Sequence, residues 1–360
     1  MRPGRTAGRP DRLDCLDCPD CPDCPDCLDC LDCLDVETPG LAGGRRPASA
    51  AHDRRMPALT EPLRARLQYT FNGQYTGTPE WVTDLSKGDD EGFFAPGSAV
   101  WAVHGSNTAI LAGVRALLVQ ALHPGALAGV HDHSRFREDP LGRLAGTIRW
   151  IYTVTYGSQE AATHASQWVS RLHTKVVGSY DDRHGVSHDY AANDPELLSW
   201  VHMAFADSFL AAYLAWGEGE VPGGPDAYVR EWATAGELMG VVDPPRSVAE
   251  MQDQLMEFDR RGILERTART EEVVGFIKRP PLFPVLRVGY PVLFNGAVGT
   301  LQPRFRELLG LRAPHVGPVY LPTTRPAGVM LGAIGRVLGD KPVAEEHSLA
   351  RLERLRGAQA

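Results

Sequence analysis

Apolar residues downstream of Met56 recur every three or four positions, the spacing of amphipathic helices, whereas the alternation typical of strands is scarce. Glycine and proline residues divide this pattern, so the sequence predicts helices joined by short loops. The predicted helices cover residues 105–122, 140–156, 158–177, 195–216, 225–239, 247–261, 271–277, 284–309 and 328–338, and the eighth is either one broken helix or two. The predicted fold class is all-α, a single globular helical domain.

Capping residues and helix composition support the predicted helical fold. Ser158 is placed to cap the third predicted helix, and Gly178 follows its predicted end. Pro195 stands in the first turn of the fourth helix. That helix approaches membrane-spanning length, but His202 and Asp207 interrupt it, which favours a helix buried in a helical core.

A short repeat sets the first 56 residues apart. Residues 14–35 repeat Asp-Cys-Leu or Asp-Cys-Pro, and the repeat holds every cysteine of the chain: Cys15, Cys18, Cys21, Cys24, Cys27, Cys30 and Cys33. Cys-x-x-Cys is a metal-binding spacing, but a period of three forms neither a helix face nor a strand face. We therefore favour two interpretations of residues 1–56 rather than a metal site. One is a disordered low-complexity tail, and the other is translation upstream of a true start at Met56. Residues 57–345 are predicted to form the domain, and residues 346–360 to fray.

Composition and charge narrow the function. The chain has 37 basic and 45 acidic residues, a formal net charge of −8, which argues against a nucleic-acid-binding surface. The body lacks cysteine, and no basic stretch precedes an apolar run at the N-terminus, so we expect a cytoplasmic protein without a transmembrane segment. The sequence has no glycine-rich nucleotide loop and no Gly-x-Ser-x-Gly nucleophile elbow.

Two histidines stand on apolar helix faces. His173 shares a predicted face with Val169 and Val176, and His202 lies beside Phe205 on the fourth helix. A lone histidine in such a setting is more often a hydrogen-bonded core residue than a ligand. On the sequence alone, the structural interpretation therefore leads for both.

Arg143 and Thr147 are four residues apart, so they share one face of the second predicted helix. Trp150 and Ile151 continue that face. An arginine on a largely apolar stripe needs an anion, such as a carboxylate, a propionate or a polarised oxygen species. The alternative is an arginine that reaches water from the end of the helix, and the sequence favours neither.

His123, His131, Asp132 and His133 form a second group of possible ligands. Two histidines and a carboxylate are the ligand set of many non-haem iron sites. Three consecutive ligands would strain the backbone, however, so a hydrogen-bonded turn that follows the helix ending at His123 is the favoured interpretation.

The order of these pieces resembles the family that includes the fungal oxygenase mpaB and the bacterial rubber oxygenases, the latex clearing proteins. The resemblance covers roughly residues 94–240. It rests on Leu122-His123-Pro124, residues 130–136, Asp139-Pro140, Arg143, Thr147, Tyr156-Gly157, His173, Val176, Gly178, Tyr190-Ala191, Asp194-Pro195, Trp200-Val201-His202 and residues 236–240.

The resemblance implies an all-α catalytic domain that encloses haem b. It implies His173 as the proximal iron ligand, Arg143 and Thr147 on the distal side, and His133 and His202 as supporting cofactor-binding residues. The rubber oxygenases have a lysine where this chain has Gly146, so the distal iron position here is expected to be open or filled by water.

The function implied is a haem-dependent oxygenase that acts with dioxygen on a small apolar or unsaturated substrate, lipid-like or isoprenoid-like. Two alternatives stay open. One is a non-catalytic haem- or lipid-binding protein. The other is a non-haem iron oxygenase that uses His123, His131 and His133.

Overall fold

Helices account for most of the computed structural model, which describes residues 61–72, 76–312, 315–316, 319–320, 322–339 and 341–359. These residues belong to one compact unit, residues 40–360. Their helices and strands are α1 (Glu61–Asn72), α2 (Glu80–Thr83), α3 (Ala99–His104), α4 (Ala109–Gln120), α5 (Pro124–His133), α6 (Pro140–Tyr156), α7 (Gln159–His173), β1 (Val177–Asp181), β2 (Ser187–Ala191), α8 (Pro195–Trp216), α9 (Pro225–Leu238), α10 (Val248–Arg260), α11 (Ala268–Lys278), α12 (Pro284–Thr300), α13 (Pro303–Leu308), β3 (His315–Val316), β4 (Val319–Tyr320), α14 (Thr324–Leu338) and α15 (Val343–Gln359). The predicted helical fold class is confirmed. The cysteine repeat and the predicted tail over residues 1–56 lie outside the described residues.

Helices α4 and α8 pack against each other in the core. Trp200 and Met203 of α8 are fully buried there. Arg115 of α4 and Asp207 of α8 form a buried ion pair, with Nη1 and Oδ2 2.6 Å apart, and Ser208 Oγ accepts a second bond from the same Nη1. Asp207, one of the two polar residues that interrupt α8, is therefore a paired charge, and pairing is how proteins tolerate charge in a core.

Helix α8 is long and apolar enough to cross a membrane by length and composition, and 72% of its apolar window is buried inside the protein. Within the described residues it is the one such helix, or one of two if α4 and α5, which meet at 107°, are taken as a single bent span. Its burial against α4 agrees with the predicted core helix.

Local capping signals predicted several boundaries well. Helices α6 and α8 begin at Pro140 and Pro195, as expected, and Ser247 Oγ accepts from Glu250 N at the start of α10. The stretch 284–309 is two helices, α12 and α13, separated at Leu301. Each of these signals is a short-range interaction, which is why the sequence alone discloses it.

The loop predicted after His123 is wrong, because a new helix begins at once. Pro124 occupies the first turn of α5, and His123 Nδ1 accepts from Gly125 N at 3.2 Å, as an N-cap residue does. His131 and His133 therefore lie in the last turn of a helix, not in a loop.

The third predicted helix, residues 158–177, is longer than the observed helix α7. Helix α7 ends at His173, and Val177 begins a β-hairpin in which it pairs with Ala191. Gly178 tolerates the closeness of the second strand, since a Cβ there would lie 2.8 Å from Tyr190 Oη. Valine residues favour strands, and the pairing partner that decides between strand and helix lies more than ten residues away.

The C-terminal residues differ from the expected frayed end. Helix α15 continues to Gln359. Arg351 is buried and donates to Leu85 O at 2.6 Å and to Tyr156 O at 2.9 Å. The second bond ties α15 to the end of α6, and the first ties it to the turn that follows α2.

Candidate active site

Helices α6 and α7 form a helical hairpin that carries three of the predicted site residues. Gly157 and Ser158 join the two helices, and Ser158 Oγ caps α7 by accepting from Ala161 N at 3.1 Å. Trp150 Nε1 donates to Ser166 Oγ at 3.2 Å across the pair. At the joined end the facing residues are buried, namely Val154, Thr155, Ala162 and Ser166.

The other end of this hairpin is less covered, and we call it the open end. Leu144 and Ile148 of α6 and Val169 of α7 are only half-buried although they are apolar. Arg143, Thr147 and His173 lie at the same end, since α7 returns alongside α6. The open end therefore combines uncovered apolar surface with polar groups that can bind a ligand.

His173 is the last residue of α7, and its ring is in an unusual state. Burial lowers the pKa of His173, while the nearby Asn193 side chain acts in the opposite direction. His173 Nδ1 is buried and makes no hydrogen bond within the described residues. A neutral imidazole that carries its proton on one nitrogen can offer the lone pair of the other nitrogen to a metal ion.

Asn193 precedes α8 and faces this ring. Its Nδ2 donates to Ser170 O at 3.0 Å, which orients the amide, and its Oδ1 is buried without a partner among the described residues. The sequence interpretation missed Asn193. It stands between Tyr190-Ala191 and Asp194-Pro195, two pieces already used for the resemblance, so its position in a loop next to a marked segment was the available signal.

Arg143 and His133 are tied to the same region. Arg143 Nη1 donates to Ser134 Oγ at 2.6 Å, directly after His133. His133 Nε2 donates to Val177 O at 3.0 Å, four residues past His173. The structure thus brings Arg143, His133 and the end of α7 into one neighbourhood, with His133 in a structural contact.

Thr147 is less well placed. It is exposed, and its Oγ1 donates to the carbonyl of Arg143 on its own helix at 3.2 Å. Threonine commonly makes this back-bond in a helix, so the contact reflects the spacing of four residues.

His202 of α8 lies against α9. Burial lowers the pKa of His202 to about 4, and its Nε2 has no hydrogen-bond partner in the described part of the chain. The ring lies against Gly236, where a Cβ would approach His202 Cε1 to 2.9 Å. The missing side chain at Gly236 therefore allows α9 to pack closely on the His202 ring.

The histidines near α5 have separate partners. His131 lies 3.0 Å from Asp132 Oδ1 through Nδ1 and 3.1 Å from Glu272 Oε2 through Nε2, whereas His123 caps α5. Among the described residues no group of three or more His, Cys, Asp and Glu side chains could hold a metal ion.

A further buried histidine, His104, was not singled out from the sequence. Its Nδ1 lies 2.8 Å from Thr155 Oγ1 and its Nε2 3.1 Å from Tyr228 Oη. Burial lowers the pKa of His104 to about 3. Both nitrogens are used, so His104 is a structural residue of the core.

The comparison with known families agrees with this arrangement. Residues 101–333 match the family described as ER-bound oxygenase mpaB/B′/rubber oxygenase, catalytic domain. No curated protein and no solved structure matches the chain. The fold and the match define the class of protein as an oxidoreductase, an oxygenase. The chain belongs to the mpaB and rubber oxygenase family, and its catalytic domain extends well beyond the stretch that carried the resemblance.

Proposed function

We propose that this protein is a haem b-dependent oxygenase that acts on an apolar or unsaturated, lipid-like or isoprenoid-like substrate, with His173 as the proximal iron ligand. The observation that carries the proposal is the His173 ring at the open end of the α6–α7 hairpin, whose pKa is lowered by burial and which the Asn193 side chain faces.

The residues at the open end fit such a cofactor. A haem requires apolar walls, a neutral imidazole for the iron and a cation for its carboxylates. Leu144, Ile148 and Val169 supply half-buried apolar surface, and Arg143 is a cation at the same end. When bound, haem supplies the capacity to activate dioxygen.

Asn193 supports the assignment of His173. Metal-binding histidines commonly donate their second ring N–H to an oxygen acceptor, which selects the tautomer and orients the ring. Asn193 Oδ1 is such an acceptor, because the amide nitrogen is already held by Ser170 O. With the proton kept on Nδ1, the lone pair of Nε2 is free to bind iron.

Arg143 is proposed to act on the distal side, where its charge would stabilise an anion. Its Nη1 donates to Ser134 Oγ, a neutral partner. Thr147 is the weaker distal assignment, since its hydroxyl must first leave the carbonyl of Arg143. Gly146 adds no side chain beside them.

The test is an absorption spectrum of the full chain purified from haem-supplied cells, with His173→Ala beside His164→Ala. His164 is an exposed histidine on the same helix, so the pair controls for changes to α7. We expect a Soret band in the natural protein and in His164→Ala, and its loss in His173→Ala. An unchanged band in His173→Ala would exclude His173 as the ligand. Iron without porphyrin in the purified protein would contradict the haem proposal and favour the non-haem iron oxygenase.

A second measurement separates an oxygenase reaction from simple binding. Dioxygen consumption with a polyprenoid or an unsaturated lipid should accompany product formation. Haem or lipid binding without dioxygen consumption would favour the non-catalytic alternative for these substrates.

A further inference from the structure

The charge of the chain is strongly uneven. Residues 273–339 contain one acidic residue, Glu307, and eight basic ones: Lys278, Arg279, Arg287, Arg304, Arg306, Arg312, Arg325 and Arg336. This segment has a formal charge of +7, in a chain whose net charge is −8. It spans α12 and α14, so two whole helices carry basic but no acidic side chains.

The same two helices expose large apolar side chains. Val288 of α12 is 82% exposed and Val329 of α14 is 75% exposed, the highest values for large hydrophobic residues in the described part of the chain. Val285, one turn before Val288, is exposed as well. Isolated exposed apolar residues are ordinary, but a group on adjacent helices marks an interaction surface.

The two valines lie beside one helix–helix contact. A Cβ on Gly289 would lie 3.0 Å from Met330 Cε, so the chain positions next to Val288 and Val329 touch. Along α14, the exposed residues Arg325, Val329, Ala333 and Arg336 follow helical spacing. An apolar centre is thereby flanked by arginines on the outer side of α14.

Basic residues also surround the start of α12. Lys278 and Arg279 are exposed just before it, and Arg287 stands between the two exposed valines of this helix. Arg66 of α1 lies over the ring of Phe283, 6.0 Å from its centroid, and brings a further positive charge to this side. We call the surface of Val285, Val288, Val329, Arg287 and Arg325 the basic valine face.

We propose that the basic valine face docks on the surface of an anionic lipid membrane. Apolar side chains can enter the interfacial region while neighbouring arginines meet lipid phosphates, a combination typical of surface-bound helices. A second copy of the chain is a poorer occupant, because a symmetric contact would bring the same positive charges together. This inference goes beyond the proposed function and does not depend on haem.

Docking would hold the protein at a source of apolar molecules. Substrates of the class proposed above partition into membranes because transfer of apolar surface out of water is favourable. The membrane inference can nevertheless fail while the oxygenase proposal stands, since its test reads binding and not turnover.

The test is co-sedimentation of the full chain with vesicles of phosphatidylcholine alone or of phosphatidylcholine mixed with phosphatidylglycerol. We expect binding to the anionic vesicles only, weakened by salt. The double variant Val288→Glu/Val329→Glu should bind roughly tenfold more weakly, because it removes apolar contact and adds like charge to the lipid. Arg325→Gln/Arg336→Gln should weaken binding in the same direction.

The matched control is Val186→Glu/Val242→Glu, two exposed valines outside this face. It should bind like the natural protein, and circular dichroism should show the same helix content for all variants. No binding to anionic vesicles, equal loss in the control, or full binding by Val288→Glu/Val329→Glu would overturn the proposal. Light scattering that shows a dimer dissociated by Val288→Glu/Val329→Glu would assign the face to a second copy instead.

Discussion

The side chain of Asn193 faces the buried ring of His173 and opposes the effect of burial, which lowers the pKa of this histidine. The amide is oriented by Ser170 O, on the turn that precedes His173. The pair is therefore arranged so that Asn193 Oδ1 can accept from the His173 ring and orient it.

We predict that Asn193→Ala weakens haem binding roughly 10–100-fold, as the loss of a residue behind a metal ligand typically does. The measurement is haem titration together with the iron–histidine stretching frequency of the reduced protein, which should shift because the ring loses its acceptor. Asn107→Ala is the control, since Asn107 donates to Gly339 O away from α7. An unchanged affinity and frequency in Asn193→Ala would remove Asn193 from the site.

Arg143→Gln should keep the cofactor and lower the rate of dioxygen consumption by about 10²–10³-fold, because a charged donor near a developing anion is lost. The rate is measured per bound haem with an unsaturated lipid as substrate. Arg171→Gln, an exposed arginine on α7, should leave the rate unchanged. If Arg143→Gln instead loses haem and keeps its rate per bound haem, Arg143 binds the cofactor carboxylate.

The free energy of unfolding should fall as the pH is lowered below about 6.5, the usual pKa of histidine. Burial lowers the pKa of His202 to about 4 and the pKa of His104 to about 3. Between these values and about 6.5 the unfolded chain binds protons that the folded chain does not, so acid favours unfolding. Each such histidine contributes about 1.4 kcal/mol per pH unit in that window.

The measurement is urea unfolding at pH 7 and pH 5 for the natural protein and for His202→Asn. The variant should lose less stability between the two pH values, because it has one buried histidine fewer to protonate. Equal pH dependence in both proteins would contradict the role assigned to His202.

Gly236→Ala should destabilise the fold by about 1–3 kcal/mol, since its methyl group would press on the His202 ring. Gly275→Ala, in the exposed part of α11, is a matched helical control with open space around the new methyl group. The control should be neutral or stabilising, as alanine is the better helix former. Thermal unfolding of both variants checks the difference, and equal melting temperatures would show that His202 can yield.

The helix starts at Pro140, Ser158 and Pro195 were predictable because a cap or a first-turn proline acts within four residues. The hairpin after His173 was not predictable, because Val177 pairs with Ala191, a residue that lies more than ten positions further along the chain. The helix after His123 was missed for a related reason. A Pro-Gly pair usually indicates the end of a helix, but here Pro124 and Gly125 follow the N-cap residue His123 and begin α5.

The sequence by itself determined the helical class, the boundaries of several helices and the family, because these depend on local spacing and on ordered short motifs. The sequence also singled out His173 and Arg143 as candidate site residues. Only the tertiary structure decided that Asn193 stands behind His173, that Thr147 is exposed, and that His202 packs on Gly236. These relationships join residues far apart along the chain, and the direction and burial of a side chain are set by what packs against it.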